Sequence, residues 1–128
     1  MTESAVRVTL PAFDLAAYSD TSRSQHQNRH DALSLLRRRI ALHIRSAAPS
    51  HWEWDHSPGK NSDDYILWLA HLLDVLHDFD YALGAAASFC NLSTGRLVKL
   101  LFRDSDAWAH VNDNRKARGL RPLKPPRS

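Results

Sequence analysis

The stretch Asp31-Ala32-Leu33-Ser34-Leu35-Leu36-Arg37-Arg38-Arg39-Ile40-Ala41-Leu42-His43-Ile44-Arg45 sets the architecture of the chain. Leu33, Leu36, Ile40 and Ile44 recur every three or four residues, with Ala32 and Leu35 beside them, so one side of a helix is apolar. Arg29, Arg37, Arg38 and Arg45 spread over the remainder. No proline or glycine intervenes between Ser22 and Pro49. A helix of about 22 to 25 residues is predicted from Ser22 or Ser24 onward, roughly 35 Å long at 1.5 Å per residue. Its basic face is the longest charged surface in the sequence.

Upstream, the periodicity is two. In Ala5-Val6-Arg7-Val8-Thr9-Leu10, the residues Val6, Val8 and Leu10 fall on one face and Arg7 and Thr9 on the other, as in a half-buried strand. Residues 11–14 read as a turn and residues 15–18 as a partner strand, although Ala16 and Ala17 have weak strand propensity. Two strands alone are marginal in water, so the hairpin needs a cover.

Downstream, residues 49–62 form a linker loop with Trp52, Trp54, Pro58 and Gly59. Ser62-Asp63-Asp64 supplies a cap and two first-turn acids for an apolar helix over residues 65–79. Residues 82–89, a turn at 90–92, a cap at Ser93 or Thr94 and a helix over 95–102 have the outline of a helix-turn-helix. A last helix, residues 105–117, ends before Gly119 as C-cap. The expected fold is α+β, mostly α: a short β-hairpin with a long basic helix, then a small helical bundle with a helix-turn-helix-like unit. Its parts are residues 1–48, the loop 49–62, a helical extension 63–120 and a basic, proline-rich tail 121–128.

With 128 residues, 43% apolar and 24% charged, the chain has room for one small domain or two half-sized units. The longest apolar run, residues 66–76, is broken by His71 and Asp74 and is too short to span a bilayer. The opening Thr2-Glu3-Ser4 carries no leader pattern, so a cytoplasmic location is expected. A single cysteine, Cys90, excludes an internal disulfide and any zinc site built on cysteine pairs. The net charge of +3 hides an uneven distribution. Residues 23–45 hold six arginines against Asp31; residues 61–106 hold seven acids against Arg96, Lys99 and Arg103. Residues 107–128 hold six cations against Asp113. Two basic blocks around an acidic one suit a polyanion touched at two places.

Catalytic chemistry finds little support. His26 and His30 have the i, i+4 spacing of a metal pair, but Gln27 stands where a zinc protease needs glutamate, and polar surface histidines are the commoner reading. His51, Glu53, Asp55 and His56 resemble a ligand cluster on a loop that does not fix their geometry. Asp74, Asp78 and Asp80 read as a solvated face, and Cys90 as a buried thiol in a helix turn. No catalytic residue, metal or cofactor is expected.

The run Arg23-Ser24-Gln25-His26-Gln27-Asn28-Arg29, followed by Ala32, Leu36 and Arg37, resembles the end of the catalytic domain of class I peptide-chain release factors, where an Arg-Ser-Gln run and an Asn followed by a basic residue open the final long helix. Ala5-Val6-Arg7-Val8-Thr9 resembles the strand that precedes it, at matching spacing. Leu10 stands where the family has histidine, and Asp14 where it has the glycine of a Pro-Thr-Gly turn. The stretch Leu92-Ser93-Thr94-Gly95-Arg96-Leu97-Val98-Lys99-Leu100-Leu101, with Val111-Asn112-Asp113-Asn114-Arg115 and Gly119-Leu120-Arg121-Pro122-Leu123, looks like the carboxy-terminal extension of bacterial release-factor-like proteins. The resemblance implies a translation protein of termination or ribosome rescue, partnered by the ribosome, its rRNA and possible tRNA contacts. The family's Gly-Gly-Gln loop falls upstream of the aligned residues, so peptidyl-tRNA hydrolysis is not expected of this chain. The residues expected to touch RNA are Arg23, Gln25, Asn28, Arg29, Arg37, Arg38 and Arg45, then Arg115, Lys116 and Arg118. The rival reading is a DNA-binding regulator using Arg96, Lys99 and Arg103, and a third is a protein-interaction fragment resting on exposed Trp52 and Trp54.

Overall fold

A computed structural model describes residues 3–127 and divides the chain into two compact units, Met1–Ile44 and Arg45–Ser128. The architecture is α+β and mostly α, as the periodicities require.

In the first unit, β1 (Val6–Leu10) pairs antiparallel with β2 (Leu15–Ser19), Val8 opposite Ala17 and Leu10 opposite Leu15. The link is one 3-10 turn, Pro11–Phe13, closed by the Asp14 amide donating to the Pro11 carbonyl at 3.1 Å. Asp14 takes the left-handed backbone, φ 52°, which its short polar side chain tolerates without a glycine. The cover the hairpin needs is α1 (Gln25–His43), which packs on both strands. One of the two alanines that weaken β2 as a strand, Ala17, has a use in this packing. Ala17 is buried in β2 and Ala32 in α1, so a small side chain at each lets helix and sheet approach closely.

The helix is shorter than its periodicity suggests. Ser24 caps it by accepting from the Gln27 amide at 3.2 Å, and it stops at His43, with Ile44 already extended (φ −107°, ψ 125°). Nineteen residues span about 28 Å at 1.5 Å per residue. Arg45, expected on this helix, lies beyond it: its guanidinium sits 3.2 Å from Asp74, and the same carboxylate accepts from the Ser46 amide at 3.1 Å. A helical continuation would hold the Ser46 amide in its own ladder and forfeit that bond.

In the second unit, α2 (Tyr65–Asp78) supplies the core, burying Trp68, Leu69, Leu72, Leu73, Val75 and Leu76. Asp63 and Asp64 precede its first turn rather than filling it, because Ser62 caps a separate turn by accepting from the Asp64 amide. Asp74 is also corrected: it lies buried against Arg45 rather than on a solvated face. The chain then forms α3 (Leu83–Phe89), α4 (Thr94–Phe102) and α5 (Ser105–Ala117). Three helix ends share one device. The amides of Tyr81, Leu92 and Leu120 reach back to the carbonyls of Leu76, Ala87 and Arg115, around left-handed Asp80, Asn91 and Gly119. Ser93 and Asp104 cap α4 and α5 by accepting from the amides of Arg96 and Ala107. Asp104 also accepts from the Tyr65 hydroxyl at 2.7 Å, tying the start of α5 to the start of α2.

Candidate nucleic-acid interface

The candidate RNA-binding residues are divided by the structure into those that present themselves and those the fold consumes. At the start of α1, Arg23, Gln25, His26, Gln27 and Arg29 are exposed. Gln25, His26 and Arg29, with Val6 of β1, line an open depression of about 400 Å3. Arg37 is exposed on the same side of the helix, two turns and roughly 12 Å along its axis from Arg29. Arg38 is half-buried on another side.

Asn28, in the middle of the basic run, does not face outward. It is fully buried, and its amide holds the first unit together. Oδ1 accepts from the Ser22 amide at 3.0 Å and from the Ser19 hydroxyl at 3.4 Å. Nδ2 donates to the carbonyls of Ser4 and Ser22, each at 2.8 Å. Both donors and both lone pairs are used, the full capacity of the side chain. Asn28 is thus the clasp that sets where β1, the end of β2 and the start of α1 meet, and it holds Arg29 and Gln25 at the rim of the depression. Arg39 likewise turns inward, donating to the Ala16 carbonyl of β2.

The second basic group is consumed further. Arg115 donates to the carbonyls of Tyr81 at 2.7 Å and Arg121 at 2.8 Å. Arg118 lies over the Tyr81 ring, 4.6 Å from its centroid, and donates to Asn114. These two arginines lock the end of α5 and the tail onto Tyr81, which is itself buried and bonded to His110 at 2.9 Å. Lys116 is exposed. The tail is strapped once more where the Leu123 amide meets Asn112 at 2.7 Å.

Arg45 is committed as well. Burial pulls its guanidinium below its ordinary pKa and pushes the Asp74 carboxyl above its own, the mutual attraction and the Ser46 amide opposing both shifts only in part.

The helix-turn-helix outline is present as α3 and α4, but it presents few cations. Arg96 and Lys99 are exposed on α4. Arg103 is turned away, donating to the Pro58 carbonyl at 2.6 Å and lying 5.2 Å from the ring centroids of both Tyr65 and Trp68. Trp52 and Trp54 are half-buried rather than exposed, and Trp54 donates its indole N–H to His71 of α2 at 3.1 Å. Cys90 is buried, and burial pushes its thiol up to about 12. Among the described residues no group of three or more His, Cys, Asp or Glu lies close enough to hold a metal ion, and no helix is long and apolar enough to cross a membrane.

Two residues of this arrangement, His26 and Val6, are not named by the sequence reading as part of the site. His26 reads as half of a metal pair and Val6 as strand filler, yet they line one depression with Gln25 and Arg29. The adjacency of His26 to Gln25 in the basic run was the available signal. Comparisons with models of protein families, with curated proteins and with solved structures returned no match.

Proposed function

We propose that this chain is a release-factor-like translation protein, of termination or ribosome rescue, that binds ribosomal RNA through the amino-terminal end of α1. The observation that carries the reading is the convergence of Gln25, His26 and Arg29 on one depression beside exposed Arg23, with Arg37 farther along the same side. These residues belong to the Arg-Ser-Gln-His-Gln-Asn-Arg run on which the family resemblance rests. An arginine fork and an amide at a helix start suit phosphate oxygens and base edges together. The proposal concerns binding; no residue here is assigned a role in hydrolysis.

Co-sedimentation with ribosomes at moderate salt, and filter binding to ribosomal RNA, test it. Binding should weaken steeply with salt, and Arg29→Glu with Arg37→Glu should flatten the log–log salt slope by about 0.7 to 0.9 per lost contact. No binding, or binding indifferent to both substitutions, would sink the idea. Tighter binding to duplex DNA that is lost in Arg96→Ala with Lys99→Ala would favour the rival use of α4.

A further inference from the structure

A second depression lies within the Arg45–Ser128 unit. Trp52, Trp54, Asp55 and His56 of the loop form one wall, and Cys90 and Leu92 of the α3–α4 turn another, around about 200 Å3. That volume is below the roughly 300 Å3 at which pockets begin to take drug-sized ligands, so the space suits one side chain or one small headgroup.

The walls define the chemistry of the occupant. Two indoles line the space, and Trp is the strongest of the aromatic side chains for attracting a cation. Asp55 adds a carboxylate, bonded to His56 at 2.6 Å. That hydrogen bond, with the imidazole's charge, holds the Asp55 carboxyl below its ordinary value, so it is ionised at neutral pH. His56 occupies one oxygen of that carboxylate, and among the described lining residues there is no lysine or arginine to take the other. The thiol of Cys90 is held neutral by its burial and presents an apolar surface.

The loop is also fixed in place, which a recognition site requires. Trp54 is tethered to His71 of α2, and four residues on, Pro58 is clamped by Arg103, itself 5.2 Å from the ring centroids of both Tyr65 and Trp68. Arg103 therefore holds the loop rather than serving a nucleic-acid surface.

The geometry points to a binding site for a methylated ammonium group, seated against Trp52 and Trp54 with Asp55 as counter-charge. A quaternary ammonium is favoured over a bare one because it gives up less hydration and fills an apolar wall. The group could be carried by a free choline-like molecule or by a trimethyl-lysine side chain.

The test uses the full chain labelled with 15N and the indole N–H signals of its four tryptophans, assigned by single Trp→Phe substitutions. Titration with tetramethylammonium chloride should shift the Trp52 and Trp54 signals saturably and leave Trp68 and Trp108 in place. Asp55→Asn should weaken binding about five-fold, the effect of one charge at contact in a wet pocket. Trp52→Ala should weaken it by about three-fold or more, with unmoved Trp68 and Trp108 signals showing that the fold survives. Choline against a trimethyl-lysine peptide separates the two sources by whichever binds more tightly. Shifts no larger than sodium chloride produces, or equal affinity in native, Asp55→Asn and Trp52→Ala chains, would overturn the site.

Discussion

Replacing Asn28 should loosen the first unit more than any exposed substitution in the basic run. In Asn28→Ala the Ser22 amide loses its acceptor and the Ser4 carbonyl loses the Nδ2 donor, while the Ser22 carbonyl keeps the Ser4 hydroxyl at 2.9 Å. Two stranded groups and one lost bond, at about 1 kcal/mol each, give about 3 kcal/mol. Asn28→Asp should cost more, about 4 kcal/mol, because it sets a buried carboxylate oxygen against the two carbonyls that Nδ2 now feeds. All four tryptophans lie in the other unit, so indole fluorescence is blind to this change. Amide hydrogen exchange in β1 and β2 is the right assay. Protection there should fall by roughly 100-fold in Asn28→Ala, since 1.4 kcal/mol is a factor of ten. Protection within about three-fold of the native chain, a change below the cost of even one such bond, would refute the clasp, as would Asp being better tolerated than Ala.

Arg45→Met and Asp74→Leu should each destabilise the second unit by about 2 to 3 kcal/mol in urea unfolding, whereas the double substitution should cost only about 1 kcal/mol, the loss of the Ser46 bond, because desolvation opposes the pair in both partners. The acid side follows from the raised Asp74 pKa: its contribution favours the fold below the ordinary carboxylate value and is lost as pH rises through the folded value, so Asp74→Asn should flatten the stability profile there. Cys90 should resist a thiol reagent at pH 8 in the native chain and react at once in denaturant. Its raised pKa makes stability fall as pH climbs from the ordinary thiol value of 9.0 toward about 12. Gly119→Ala should cost about 1 kcal/mol by thermal unfolding, purely from the left-handed backbone (φ 73°), since nothing lies within 4 Å of an added Cβ.

The helical elements were legible because their signals are local. Ser24 and Ser93 as caps, Gly119 beyond α5 and the change from period two to period 3.6 are properties of a few neighbouring residues. The end of α1 was not legible, because it depends on Asp74, almost thirty residues away, offering partners to Arg45 and Ser46. The same limit applies to the site. Arg23, Gln25 and Arg29 could be named from the basic run, but nothing in that run says that Asn28 turns inward toward Ser4 and Ser22. The Trp52–Trp54 depression was hidden for a similar reason: its second wall, Cys90 and Leu92, comes from a turn more than thirty residues downstream.

Counting cations along the chain therefore overstates the surface available to a polyanion. Of the arginines in residues 23–45, Arg39 is spent on Ala16 and Arg45 on Asp74, whereas Arg23, Arg29 and Arg37 are exposed. In the last block, Arg115 is spent on Tyr81 and Arg118 lies over the same ring while still exposed, beside the exposed Lys116, Arg121, Lys124 and Arg127. A committed arginine still contributes to the long-range field, but Arg39, Arg45 and Arg115 cannot leave for a phosphate without giving up a partner that is at least half-buried. The two basic blocks thus differ in kind. One carries exposed arginines on a helix beside a shaped depression, which on the proposed reading would discriminate between RNA structures. The other carries its exposed cations mostly on a tail strapped at Leu123, where they add affinity that is screened by salt and blind to structure. Removing Lys124 and Arg127 should accordingly lower affinity for every RNA alike, while removing Arg29 should lower it most for the RNA the depression fits.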